Sequence, residues 1–332
     1  MIKKKIVNAA QVMHIKTGIV AALAGLAFAG AAAAQGYPVK PVRIVVPFAA
    51  GGGVDVTARI LAQGLTERFG QTVFVENRTG ASGIIGTEFV AKSAPDGYTL
   101  LVGSQTTQAV VPAMYKTAYD GARDFSPVTV IATSPLMIVV HPSLPVKSVK
   151  DLIVLAKARP GQLTFGAASG GTPHMSGELF KLTAKVDLLF VPYKGEGPAV
   201  SDAMGGQISM VFSNLPVVLH LARTGKLRGI AVTSAQRVPT AAEFPTVAES
   251  GLPGFEASTW FGCLGPAGLP PEVVNRLNAE AARALNTPAV RERMAGMGLF
   301  VVANKPEEFA ELLKKEVPRW AKVVKDADVK PQ

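Results

Sequence analysis

The sequence is poor in the residues that perform covalent and metal chemistry. Cys263 is the single cysteine in 332 residues, so an exported chain of this sequence has no internal disulfide. It sits in WFGCLGP, an apolar strand-like stretch, and is expected to be a small buried hydrophobe. There are four histidines, with no HExxH motif and no Cys/His cluster, so no metal site is expected. Beyond the N-terminal lysines, lysine and arginine form no dense runs and do not alternate with aromatics, which argues against nucleic-acid binding. Phosphate-cradling G-x-x-x-x-G-K-[ST] is missing, and Gly80-x-x-Gly83-x-x-Gly86 is not the dinucleotide fingerprint. Ser82 in TGASG and Ser169 in AASGG both lack the G-x-S-x-G frame of a hydrolase nucleophile. His174, five residues after Ser169, does not by itself establish a triad. No catalytic residue is assigned, and no cofactor is expected.

The N-terminus has a different character. Lys3, Lys4, Lys5 and Lys16 precede a short apolar run, GIVAALAGLAFAG (18–30), and then Ala32-Ala33-Ala34. A basic start, an apolar stretch and small residues make a secretory signal peptide, with cleavage expected after Ala34. The run falls short of the ~20 residues a membrane span needs, so no membrane insertion is expected once the leader is removed. The whole chain carries 34 basic and 24 acidic residues. Four of the lysines lie in the leader, and the mature chain keeps a mild positive balance. That field favours anionic small molecules, and it serves solubility equally well.

Beyond the leader, strand-like and helix-like segments alternate. VRIVVP (42–47) is an apolar run suited to a strand buried on both faces. Ala58, Leu61, Leu65 and Phe69 then recur at helical spacing before Gly70, a glycine stop. TVFVE (72–76), YTLLVG (98–103), LTFGA (163–167), LLFVPY (188–193), ISMVFSN (208–214) and LRGIAVTS (227–234) read as strands, with a long β-rich stretch at 128–140. Helices are expected near 84–93, 148–158, 174, 199, 271–286 and 305–326, the last kinked or broken at Pro318. Such alternation predicts an α/β fold with largely parallel sheets and helices on both faces.

The loops that follow the strands share one chemistry. They are Phe48–Asp55 (FAAGGGVD), Asn77–Gly83 (NRTGASG), Ser104–Thr107 (SQTT), Gly166–His174 (GAASGGTPH) and Tyr193–Gly195 (YKG). They offer backbone N–H groups and hydroxyls, and few charges. In an open α/β sheet, ligands bind at the carboxyl ends of strands, and a helix N-terminus there attracts anions. A neutral, donor-rich cleft suits a carboxylate. Asp55, being negative, is expected to act through loop geometry or water, or to meet a donor on the ligand. A side chain at Gly52 or Gly53 is expected to clash with the ligand or to forbid the required φ.

Together, PVRIVVPFAAGGGVDVTAR, VENRTGASGIIGTEFVAKSAPDGYTLLVG, VPYKGEGPAVSDAMGGQISMVFSN, PTVAESGLPGFEASTWFG and PAGLPPEVVNRLN resemble the Bug family. These are TctC-like extracytoplasmic solute-binding receptors of tripartite tricarboxylate transporters. The resemblance covers essentially the whole mature chain. It implies a type II-like periplasmic-binding-protein fold, with two α/β domains and a ligand cleft between them. After the signal peptide (1–34), domain 1 would comprise 35–135 plus 259–332, and domain 2 would comprise 136–258. The crossings would lie near Thr133–Met137 and Ala257–Phe261. The first loop (Phe48, Ala49, Ala50, Gly51, Gly52, Gly53, Asp55) would hold a ligand carboxylate, partly through water. The second (Ala168, Ser169, Gly170, Gly171, Thr172, His174) would face it. Ser104, Tyr193, Gly195 and Asn214 lie at further strand ends within reach of the ligand. His174 either reads the ligand or caps the helix, and both roles stand open.

The function implied is periplasmic, non-enzymatic capture of a small organic carboxylate by a monomer, for delivery to inner-membrane transporter subunits. A di- or tricarboxylate, an amino acid or an aromatic acid would each fit. A ligand sensor that presents the same carboxylate to a signalling partner is the alternative.

Overall fold

The computed structural model describes residues 36–330. The leader and its cleavage point lie outside them. The first strand, β1 (Val42–Val46), is buried almost throughout, as its apolar run requires. Helix α1 (Gly53–Phe69) follows and ends at Gly70, whose φ of 64° lets its N–H reach Thr66 O. Then come β2 (Val73–Asn77), a short 3-10 turn (Ala81–Gly83), α2 (Ile84–Ala91) and β3 (Thr99–Ser104). A π turn (Thr106–Val110) runs into the single-turn α3 (Val111–Met114) and then the sixteen-residue β4 (Phe125–Val140).

The next stretch repeats the pattern: α4 (Val149–Ala158), β5 (Thr164–Ala168), α5 (Thr172–Ala184), β6 (Leu189–Tyr193), α6 (Glu196–Met204), β7 (Met210–Asn214), α7 (Leu215–Arg223) and β8 (Arg228–Val232). Ser148 caps α4 by accepting from Asp151 N at 3.1 Å, as its sequence pattern predicts. The chain closes with β9 (Ser258–Pro266), α8 (Pro271–Leu285), α9 (Pro288–Gly296), β10 (Phe300–Val301) and α10 (Pro306–Asp326).

Strand order shows the repeat. β1 lies between β2 and β3, all parallel, and β5 lies between β6 and β7, again all parallel. Each triplet is therefore a β-α-β-α-β unit whose first strand is central. β4 joins the two antiparallel. Up to Pro135 it pairs with β9, and from Leu136 onward with β7 and β8. The sheets are thus parallel within each triplet and antiparallel where they meet.

Helix α10 spans both parts of the core. Phe309 and Leu313 pack in a cluster with Trp260, whereas Trp320, Val323 and Val324 pack with Phe165, Phe180 and Phe212. The helix continues through Pro318, so the proline does not break it. Buried packing before and after the proline holds it, and Trp320 Nε1 donates to Glu316 Oε2 at 2.7 Å across that turn. Cys263 is buried on β9, with burial pushing its thiol up to about 12. Among the described residues no helix is long and apolar enough to cross a membrane.

Candidate functional site

The first glycine loop leaves the carboxyl end of β1 and opens α1. Ala49 to Gly53 are exposed, whereas the Asp55 carboxylate beneath them is buried. Asp55 Oδ2 accepts from Gly51 N at 2.9 Å and Arg59 Nε at 2.9 Å. Its Oδ1 accepts from Arg59 Nη2 at 3.0 Å and Asn77 Nδ2 at 2.9 Å. Asn77 Nδ2 also donates to Phe48 O at 3.0 Å. Hydrogen bonds from Arg59 first, then from Gly51 and Asn77, lower the Asp55 carboxyl to about 2. Asp55 therefore shapes the loop, and its charge is neutralised by a guanidinium one helical turn away.

The glycines divide the work differently from the sequence expectation. Gly51 is the left-handed position, at φ 86°, and a methyl group there would touch nothing within 4 Å. Gly52, the N-cap, has φ −78° and open space, so its backbone suits any residue. At Gly53 a methyl group would approach Phe261 Cζ to 3.1 Å. The conformational demand thus falls on Gly51, and steric demand from protein atoms on Gly53. Neither falls on Gly52.

The neighbouring loops converge here. A methyl group at Gly83 would fall 3.0 Å from Thr107 Cγ2 and 3.2 Å from Phe48 Cζ. The ends of β1, β2 and β3 therefore meet around the Phe48 ring. Thr107 Oγ1 accepts from Ser104 N and donates to Ser104 O, each at 3.0 Å, closing the third loop. Ser104 itself is buried.

The second glycine loop leaves β5 and opens α5 by the same geometry. Gly170 (φ 71°) and the N-cap Gly171 (φ −75°, ψ 163°) correspond to Gly51 and to Gly52 (φ −78°, ψ 168°). Met175 N donates to Gly171 O at 3.0 Å, as Val56 N does to Gly52 O at 2.9 Å. Ser176 Oγ donates to Thr172 O at 2.8 Å, as Thr57 Oγ1 does to Gly53 O at 2.7 Å. His174 stands where Asp55 stands: its Nδ1 accepts from Gly170 N at 3.0 Å. It is 4% exposed and stacks on Phe190 with ring centroids 3.7 Å apart. Burial, with Lys181 adding to it, lowers the ring to about 4 and keeps it neutral. Ala168, Ser169 and Gly171 remain partly exposed and Thr172 is buried. The loop lies against α3, where a methyl group on Gly170 would be 3.4 Å from Met114 Sδ.

A third group sits at the ends of β6 and β7. The Tyr193 hydroxyl donates to Asp202 Oδ2 at 2.6 Å, and its ring lies against Gly166. Gly195 is the N-cap of α6. Glu196 accepts from Ser213 Oγ at 2.6 Å, from Asn214 N at 3.0 Å and from the Asn214 side chain. Asn214 Oδ1 in turn accepts from Thr259 Oγ1 of β9 at 3.4 Å.

Sequence reasoning missed several residues that set this geometry. Arg59 is four residues after Asp55 on a helix, a spacing that places the two together. Glu196, like Asp55, is a carboxylate in the first turn of a helix beside a donor-rich loop, which was its signal. Asn77 and Thr107 lay at the edges of loops the sequence singled out, without a sign of what they hold, and Met114 gave no local signal because it meets the second loop from α3.

Residues 57–329 match the tripartite tricarboxylate transporter family receptor, TctC. The chain belongs to the TctC family. This receptor is 40% identical to Protein BugT of Bordetella pertussis over 94% of its own length and 96% of the relative's. Among solved structures, R. palustris Rpa4515 with adipate is 39% identical at TM-score 0.77, covering 89% of this receptor and 100% of that chain. MatC from Rhodopseudomonas palustris with bound malate is 33% identical at TM-score 0.74, over 87% of this receptor and 100% of that chain. The receptor's fold is accordingly that of the periplasmic solute-binding proteins.

Proposed function

We propose that the chain captures a small organic carboxylate in the periplasm, as a monomer, and delivers it to the inner-membrane subunits of a tripartite tricarboxylate transporter. One observation carries this reading: the fold builds two glycine loops at the carboxyl ends of central strands, each opening a helix and each braced from within. Asp55 and His174 hold the Gly51 and Gly170 amides and Ala168 O takes the Gly171 amide, so the remaining amides at the start of each helix are left to a ligand. Those first N–H groups have no intrahelical partner, and the helix dipole favours a negative ligand there. Adipate and malate, named with the relatives Rpa4515 and MatC, are carboxylates of this class.

Capture follows from two lobes, 35–135 plus 259–332 and 136–258. The chain crosses between them where β4 passes from Pro135 to Leu136 and where it enters β9 at Ser258, and α10, whose C-terminal half packs into the core of the second, also bridges them. Closure about these strands expels water and strengthens each N–H to carboxylate bond. Nothing in this scheme calls for turnover: His174 is occupied with Gly170, and the role is binding alone.

A thermal-shift screen of carboxylates tests the reading. A ligand at a hundred times its dissociation constant stabilises by about 2.7 kcal/mol, and a full panel without any shift would contradict it. Deleting the gene and measuring uptake of the hit separates transport from sensing, because a sensor leaves uptake intact. Periplasmic protein that still begins at Met1 by intact mass would refute export with cleavage after Ala34.

A further inference from the structure

The second loop is held by a histidine where the first is held by a carboxylate. Asp55 is ionised and paired to Arg59, four residues on. Four residues after His174 stands Glu178, 3% exposed, with Oε1 3.8 Å from His174 Nε2. A carboxylate at 174 would face a carboxylate at 178 in a buried site. A neutral imidazole accepts the same Gly170 N–H without adding charge. Accepting through Nδ1 places the ring proton on Nε2, toward Glu178.

We propose that His174 is the positioning residue of the second glycine loop: its neutral ring holds the Gly170 amide, keeps the loop in its binding shape, and releases it when Nδ1 is protonated. This rests on the reading that the second loop contacts the carboxylate. Protonated Nδ1 is a donor and cannot accept from an N–H, so the bond is lost and two donors face one another. The charged groups around the ring are Glu178 and Lys181 on α5, and Asp328 and Lys330 on the segment after α10, which lines the same 300 Å³ cavity as His174 and Glu178. Lys181 pairs with Glu178 at 2.9 Å and opposes a second positive charge. Phe190 closes the face of the ring and excludes water from it. Carboxylate affinity therefore falls as pH drops toward about 4, where the ring takes its proton, while Asp55, held down to about 2, still braces the first loop.

The test has a ligand-free arm and a ligand arm. In the first, ring ¹⁵N shifts of His174 and hydrogen exchange at the Gly170 amide are read at pH 7 in wild type, His174→Ala, His174→Asn and His174→Gln, with circular dichroism as the folding check. The expected result is an Nε2–H tautomer in wild type and at least a tenfold loss of Gly170 protection in His174→Ala. Protection should return in His174→Asn, whose Oδ1 occupies the place of Nδ1, and not in His174→Gln. Unchanged protection in His174→Ala, or an Nδ1–H tautomer, overturns the proposal. In the second arm, adipate is titrated calorimetrically from pH 7.5 to about 3.5. The dissociation constant should rise at least tenfold in His174→Ala and recover in His174→Asn at pH 7, and its acid-side rise should be smaller in His174→Asn than in wild type, protonation of adipate itself being common to both. Lost protection with unchanged adipate affinity overturns the role in binding while leaving the brace intact. Failure of wild type to take up adipate counts against the functional reading alone, because the ligand-free arm still decides the brace.

Discussion

The two glycine loops differ in how their brace is neutralised. In the first, a buried carboxylate is matched by Arg59, whose side chain is half exposed, and the loop above it lies open to solvent. In the second, the brace carries no charge, its neighbour is a buried glutamate, and the loop is mostly covered. Val54 in the first helix turn is Pro173 in the second, and Gly171 N donates to Ala168 O at 3.1 Å, so the second loop offers fewer N–H groups. The same backbone shape is reached by two chemistries, and the surroundings decide which is tolerated. A charged brace suits a site where a guanidinium can lie against it from solvent. A neutral one suits a site already holding Glu178, whose own carboxyl is raised by burial, with Lys181 opposing.

Exchanging the braces breaks the comparison most sharply. His174→Asp buries a carboxylate beside Glu178 without a cation to match it, at a cost on the order of 3 kcal/mol. Asp55→His, beside a solvated Arg59, is expected to lose less, and urea denaturation of both variants checks the order. A smaller effect is expected from the left-handed glycines. Gly51→Val and Gly170→Val force a branched side chain to positive φ, costing about 1–2 kcal/mol of loop geometry and about tenfold or more in carboxylate affinity. Gly52→Val leaves the backbone unstrained, and calorimetry with far-UV circular dichroism separates the three.

Acid dependence distinguishes the braces without mutation. A histidine held neutral binds its proton more readily in the unfolded chain, so stability falls as pH drops from about 6.5, the ordinary imidazole value, toward about 4. Asp55 is the reverse kind of group, with a carboxyl lower in the folded state. Its contribution is complete above the ordinary carboxylate range and is lost as pH falls toward about 2. Thermal midpoints from pH 7 to 3 should therefore show an upper limb that His174→Asn removes and Asp55→Asn leaves in place. Arg59→Gln takes the cation from a buried carboxylate that keeps its Gly51 and Asn77 bonds, and a loss of about 2 kcal/mol is expected. A larger loss would show that the guanidinium is essential to the Asp55 brace.

Much of this comparison was legible in the sequence. The apolar run VRIVVP, the glycines before a helical spacing and the negative sign of Asp55 together pointed to a loop-shaping carboxylate. The homologous role of His174 stayed open because a histidine at a helix start serves as ligand contact or as brace equally well; only the 3.0 Å bond from Gly170 separates the two. Three consecutive glycines do not say which turns left-handed, since the choice depends on where Asp55 catches the amide. The antiparallel passage of β4 between β9 and β7 was hidden because strand pairing over such separations leaves no local period. Pro318 does not break the helix because propensity is a local quantity, and the packing of Trp320 and Phe309 on either side of it is not.

The central claim is that both glycine loops receive the carboxylate. Amide ¹H–¹⁵N spectra of the protein, recorded through a titration with the carboxylate that stabilises it most, test this directly. The account predicts the largest shifts at Gly51–Asp55 and at Gly170–His174, saturating together. Shifts confined to another site, such as the 350 Å³ cavity lined by Tyr119, Asp120 and Arg123, with both loops unmoved, would contradict it.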